Sequence, residues 1–221
     1  TDTLTETAAA LSMIFKDTLQ KPLIIVGAQM SKDETGTDVP KQIEDAVRAG
    51  YAFAANNVVG VYSLCVGQVY DGTRLKKINE SAPDFLRTPG RGQVASVYSE
   101  IRLEPGIRKR DPNLFVRGLR MDREFADAIV SISPDKDTPP WSVKQMIKGP
   151  NGEKLDAIIM EAKGAGNIPD RAYKADIPES IIDVIKQVTA EGVIVAILSP
   201  FDDGVVNLVR YKLGRKAREA G

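Results

Sequence analysis

The chain has 221 residues, 43% hydrophobic and 27% charged, with 30 basic side chains against 30 acidic ones. This length can bury a substantial core as one large domain or two small ones, and a net charge of zero supplies no attraction toward nucleic acid or an anionic membrane. It holds no histidine and one cysteine, which excludes intrachain disulfides, the Ser-His-Asp and Cys-His mechanisms and the usual zinc sites.

The chain opens Thr1-Asp2-Thr3-Leu4-Thr5-Glu6. Thr3 and Glu6 have capping-box spacing, and Leu4, Ala8, Leu11 and Phe15 recur at helical intervals, so a helix is predicted from about Leu4. Thr1 and Asp2 then sit in the loop feeding its N-terminus, where free N–H groups and the helix dipole favour developing negative charge. By pattern alone they equally fit as capping residues chosen for local hydrogen bonds.

Apolar, β-branched runs at 23–26, 58–66, 126–132, 155–160 and 193–198 predict buried parallel strands. Helices are predicted at 40–55, where Pro40 occupies the first turn and Ile43, Val47 and Tyr51 share one face, and at 141–148, 177–190 and 205–220. This alternation predicts an α/β fold of open, mostly parallel, doubly wound sheets in two lobes. The stretch 86–123 breaks the rhythm, with a loop at 89–92 and an antiparallel-like alternation over 94–103, and sets a lobe boundary near residue 120, dividing 1–120 from 121–221. Cys65 falls inside an apolar run and reads as a buried, inert thiol. The locally basic segment 108–123 reads as a solvated connector, and the acidic pairs Asp33-Glu34 and Asp202-Asp203 as loop acids. No metal or cofactor is implied, since no phosphate-gripping glycine loop and no ligand-like carboxylate spacing occur. No apolar run approaches the roughly 18 residues of a membrane span, no signal peptide is evident, and the cytoplasm is the expected compartment.

Several of these segments together resemble the bacterial-type L-asparaginase and glutaminase family. Thr1-Asp2-Thr3 followed by Glu6-Thr7-Ala8 is similar to its second catalytic motif, and Lys21-Pro22-Leu23 through Gly27-Ala28-Gln29 to its Gly-Ala-Gln strand. Asp71-Gly72-Thr73 through Lys77-Ile78-Asn79 looks like its catalytic lysine loop, and Gly164-Ala165-Gly166-Asn167 like its Gly-x-Gly-Asn turn. The resemblance covers nearly the whole chain. It implies hydrolysis of the side-chain amide of L-asparagine or L-glutamine, with Thr1 as nucleophile, Lys77 taking its proton and Asp2 stabilising a cation. That cation is either the Lys77 ammonium or the substrate's α-amino group. Burial or a cationic neighbour such as Lys76 would favour the neutral amine this role needs. By spacing alone Lys76-Lys77 is a solvated surface pair.

The resemblance further assigns substrate-binding positions to Ala28 and Gln29, at the C-terminal end of a strand where open α/β sheets hold ligands, and to Asn167. Gln29 reads equally as a loop residue and Asn167 as a plain turn residue. Two departures bear on the site: Asp38 is retained where the family has Ser-Asp-Gly, but the Gly and a following Asn are lost, and Ala165 replaces the first Asn of the turn. The family's first threonine motif and its C-terminal segment have no counterpart in these residues, so both ends read as incomplete. The expected partners are an amino-acid amide substrate, a second polypeptide supplying the missing segment, and further subunits in a homo- or hetero-oligomer, with no nucleic acid or membrane. If Thr1 is a free terminus, its own α-amino group could serve as base. Alternatives are the asparaginase-like component of an archaeal-type tRNA-dependent amidotransferase, or a binding scaffold that kept the fold.

Overall fold

A computed structural model describes residues 3–113, 118–148 and 151–221. The chain divides into two compact units, Thr1–Arg123 and Glu124–Gly221. In the first, α1 (Leu4–Phe15) leads through a 3-10 turn to β1 (Pro22–Val26), α2 (Val39–Ala55), β2 (Gly60–Cys65) and β3 (Gln68–Asp71). A second 3-10 turn (Gly72–Arg74) precedes β4 (Lys76–Lys77), β5 (Leu86–Arg87), β6 (Ala95–Val97) and β7 (Ile101–Leu103).

The main sheet has the order β1-β2-β3-β6-β7. β1 and β2 run parallel, Leu23 opposite Val61 and Val26 opposite Leu64, while β2-β3, β3-β6 and β6-β7 are antiparallel. The alternation over 94–103 therefore does form an antiparallel extension, and the sheet as a whole is mixed. The long run 58–66 stops early because Val66 and Gly67, both with positive φ, turn the chain back as a two-residue hairpin. Gly67 is required there: a Cβ would meet Val97 O and the Tyr98 ring at 2.8 Å.

Because side chains alternate across a strand, β1 and β2 feed two cores. Ile24, Val26, Tyr62 and Leu64 pack with Ala49 and Phe53 of α2 on one face, where the Phe53 and Tyr62 rings meet edge to face at 5.0 Å. Ile25 and Cys65 pack on the other with Leu4 of α1, Tyr70, Phe85 and Leu86. The helix α2 buries Gln42, Asp45, Ala49 and Phe53, and its Ile43-Val47-Tyr51 face is the outward one, with Tyr51 80% exposed.

The second unit contains β8 (Ile129–Ile132), α3 (Pro140–Ile147), β9 (Ala157–Glu161), α4 (Ile181–Ala190), β10 (Ile194–Leu198) and α5 (Lys212–Ala220). Its sheet is parallel in the order β10-β9-β8. Register aligns Val130, Ile158 and Val195 in one row and Ile132, Met160 and Ile197 in the next, and these rows pack with Val143, Ile147, Ile181, Val184, Ile185, Val188 and Ala217.

α1 begins at Leu4 as expected but without the expected cap, and two later helices start further along than predicted. The Thr3 side chain makes no capping hydrogen bond to α1, so that capping box is not formed. A full capping box stands instead at Ser180 and Asp183, and it opens α4 at Ile181 after Pro178. α5 begins at Lys212 and not near 205, because Leu208 is wedged in a turn: a Cβ on Gly166 would lie 2.5 Å from its Cδ2, and one on Gly214 would lie 2.8 Å from its carbonyl oxygen. Among the described residues no helix is long and apolar enough to cross a membrane.

Candidate active site

β1 ends at Val26, and the backbone leaves the sheet through Gly27 and Ala28 to Gln29 and Met30. Asp38, immediately before α2, reaches back to hold this turn. The backbone N–H of Gln29 donates to both its carboxylate oxygens at 3.1 and 3.0 Å, that of Met30 donates at 3.1 Å, and Gln42 Nε2 donates at 3.3 Å. Burial pushes the Asp38 carboxyl up, but these donors outweigh it and hold the group below its ordinary value. The retained Asp38 thus shapes the turn that carries Ala28 and Gln29.

The Lys77 segment is built from the next strands. At the end of β3, Asp71 Oδ1 accepts from Thr73 N at 2.9 Å and Thr73 Oγ1 at 2.6 Å, capping the 3-10 turn. That turn lies so close to its neighbours that a Cβ on Gly72 would be 2.8 Å from Val61 O and 3.0 Å from Ser12 Oγ. The family-like Asp71-Gly72 pair thus has a local cause: aspartate caps the turn, and glycine lets it approach α1 and β2. β4 and β5 then form a two-residue ribbon, Lys76 opposite Arg87 and Lys77 opposite Leu86. Phe85 and Leu86 anchor the ribbon in the same buried cluster as Leu4 of the first turn of α1.

Between β4 and β5, Asn79 Oδ1 accepts from the N–H groups of Ser81 and Ala82, each at 2.8 Å, a side-chain-closed turn that presents Glu80. Gln29 Nε2 donates to the Glu80 carbonyl. Lys77 Nζ lies 2.7 Å from Glu80 Oε2, its side chain 16% exposed against 82% for Glu80. Gln29 and Lys77 are therefore joined through one residue that the sequence reading did not single out. The available signal was the spacing Lys-Ile-Asn-Glu, which sets the acid three residues beyond the lysine at a turn-forming Asn.

Thr1 and Asp2 lie outside the described residues. Asn167 belongs to the second unit, where its backbone closes a turn with Lys163 through bonds of 3.1 and 2.9 Å, and it lines a cavity of about 490 Å³ with Asp135, Lys163, Asp170 and Arg171. Cys65 is a free, buried thiol; burial pushes its pKa up, and Sγ donates to Pro83 O at 3.1 Å.

Residues 1–107 match the family model described as asparaginase, N-terminal. Over its full length the chain is 26% identical to an L-asparaginase of Thermococcus kodakarensis, spanning 61% of that protein. It is also 30% identical to a glutamyl-tRNA(Gln) amidotransferase component of Pyrococcus horikoshii, spanning 48% of it. The solved thermostable L-asparaginase from Thermococcus kodakarensis superposes with a TM-score of 0.80 at 25% identity, covering all of this chain and 61% of that one. The chain thus spans about half to three fifths of the length of these relatives. Residues 1–107 thus carry an asparaginase-family domain, and the mixed α/β fold of the whole chain matches that of solved L-asparaginases.

Proposed function

We propose that this chain is the larger part of an amidohydrolase that releases ammonia from the side-chain amide of L-asparagine or L-glutamine. Thr1 Oγ1 attacks the carboxamide carbon while the neutral amine of Lys77 accepts its proton. Lys77 returns that proton to the amide nitrogen, ammonia leaves as the tetrahedral intermediate collapses to an ester on Thr1, and water then hydrolyses the ester to the amino acid with its side-chain carboxylate, restoring the threonine. Asp2 balances the charge of the Lys77 ammonium or binds the substrate's α-amino group. Ala28 and Gln29 line the acyl side of the site, and Asn167 serves a site in an oligomer.

The observation that carries this reading is the construction around Lys77: a largely buried lysine on a ribbon packed against the first turn of α1 and tied through Glu80 to the turn after β1. That convergence gives an amine, a polar amide and a helix N-terminus at the carboxyl end of a parallel strand, where α/β sheets bind small ligands. A segment beyond these 221 residues, in the same polypeptide or a separate one, completes the site with the first threonine motif. The outer edge of β1 supports this: it has no strand partner among the described residues and its residues are only half-buried, so it presents backbone N–H and C=O groups that a further strand can pair.

The test is ammonia release by the chain purified with whatever completes it, with Thr1→Ala and Lys77→Met each expected to abolish turnover. Normal turnover in both variants would refute the assignment. The relatives named as components of a glutamyl-tRNA(Gln) amidotransferase favour a second reading, glutamine hydrolysis coupled to a charged tRNA. Stimulation of glutamine hydrolysis by tRNA, with asparagine left untouched, would select it.

A further inference from the structure

We infer that Glu80 is a built-in counter-ion that raises the proton affinity of Lys77. An ion pair between flexible exposed side chains is ordinarily weak, because both chains lose freedom and water screens the charges. Here most of that ordering is already in place. The Glu80 backbone is held on one side by the Gln29 carboxamide at its carbonyl and on the other by the Asn79 turn, while Lys77 is fixed in a strand opposite Leu86. Lys77 is also largely desolvated whereas the carboxylate is 82% exposed, so the attraction is screened mainly from the acid's side.

The charged residues on the elements joined to Lys77 are Lys76 on its own strand, Arg87 on β5 opposite Lys76, Glu80 and Asp84 on the connecting loop, and Asp38 behind Gln29. Glu80 places a carboxylate oxygen 2.7 Å from Nζ, at hydrogen-bond distance. An anion there stabilises the ammonium and opposes the desolvation and the Lys76 charge that favour the neutral amine. A base reading of Lys77 therefore includes a device that holds the amine protonated until Glu80 swings away or is displaced by substrate. This consequence rests on the proposed role of Lys77; the ion pair and its effect on proton affinity do not.

The experiment is a pH titration of the 221-residue chain carrying ¹³C-dimethylated lysines, with the Lys77 resonance assigned through Lys77→Arg. Glu80→Gln is expected to lower the Lys77 midpoint by about half a pH unit, roughly threefold in proton affinity, after allowance for the exposure of the acid. Glu80→Asp, which keeps the charge, is expected to recover most of that shift. Glu100→Gln, at an acid paired with Arg102 on β7, is expected to leave the midpoint where it was. A Lys77 midpoint that stays within 0.1 pH unit (roughly the resolution needed to see this effect) in Glu80→Gln, or that moves equally in Glu100→Gln, would overturn the inference. Because this readout needs no turnover, its failure is distinct from failure of the hydrolase reading. In an active preparation, the limb of kcat/KM that reports Lys77 deprotonation should move to lower pH in Glu80→Gln by the same amount.

Discussion

Replacing Asp38 removes the acceptor around which the turn after β1 is built, and the size of the effect follows from its donors. Two backbone N–H groups and the Gln42 amide converge on one carboxylate at 3.0 to 3.3 Å. A hydrogen bond to a charged group contributes about 1.5–3 kcal/mol net, but these share one acceptor and one is long, so they do not simply add. We expect Asp38→Ala to cost about 2–3 kcal/mol, since water reaches part of this half-buried site, and Asp38→Asn about half as much, because one amide oxygen still accepts while its NH₂ opposes the other donors.

Acid provides an independent check on the sign. The folded-state pKa of Asp38 lies below its unfolded value, so its contribution is fully present above the unfolded pKa, near 4, and is lost as pH falls through the folded one. The difference between wild type and Asp38→Asn should accordingly be constant near neutrality and narrow below about pH 4. Urea unfolding followed by circular dichroism would measure the loss, and hydrogen exchange at the Gln29 and Met30 amides would localise it, with about thirtyfold faster exchange for a local cost of 2 kcal/mol. Asp38→Ala with stability within about 0.5 kcal/mol of wild type, the range of a neutral surface substitution, and unchanged protection of both amides would refute the account.

Gly72→Ala should destabilise the first unit by about 1–3 kcal/mol, because the added methyl meets a backbone carbonyl that cannot yield cheaply; an unchanged unfolding midpoint would show that the turn can slide away from β2. In the second unit, Ser180→Ala removes the reciprocal cap of α4 and leaves the Asp183 carboxylate without its hydroxyl donor. A loss of about 1 kcal/mol is expected, and Ser180→Thr should retain most of the stability.

How much of this was legible in the chain differs from element to element. The strands near 23–26, 155–160 and 193–198 announced themselves as short β-branched runs, and the antiparallel alternation over 94–103 became β6 and β7. α2 was visible from its spacing, but which of its faces would be covered was not: Ile43, Val47 and Tyr51 point outward while Gln42 and Asp45 are buried, because Asp38, Lys41 and Arg48 meet those polar groups. The Thr3-Glu6 spacing failed as a capping box and Ser180-Asp183 succeeded, since the motif requires Thr3 in an extended conformation and the structure holds it near the helical region, with φ −88° and ψ −1°.

The sequence by itself determined the alternation of strands and helices, the absence of imidazole and disulfide chemistry, and the family resemblance on which Thr1, Asp2 and Lys77 rest. These depend on residue type and on spacing along the chain. Tertiary structure alone decided that Asp38 shapes the turn of Gln29, that Gly72 lets the turn before the lysine ribbon seat against α1 and β2, that Leu208 delays α5, and that Glu80 stands at the Lys77 ammonium. Each of these depends on a distance between segments that periodicity does not encode.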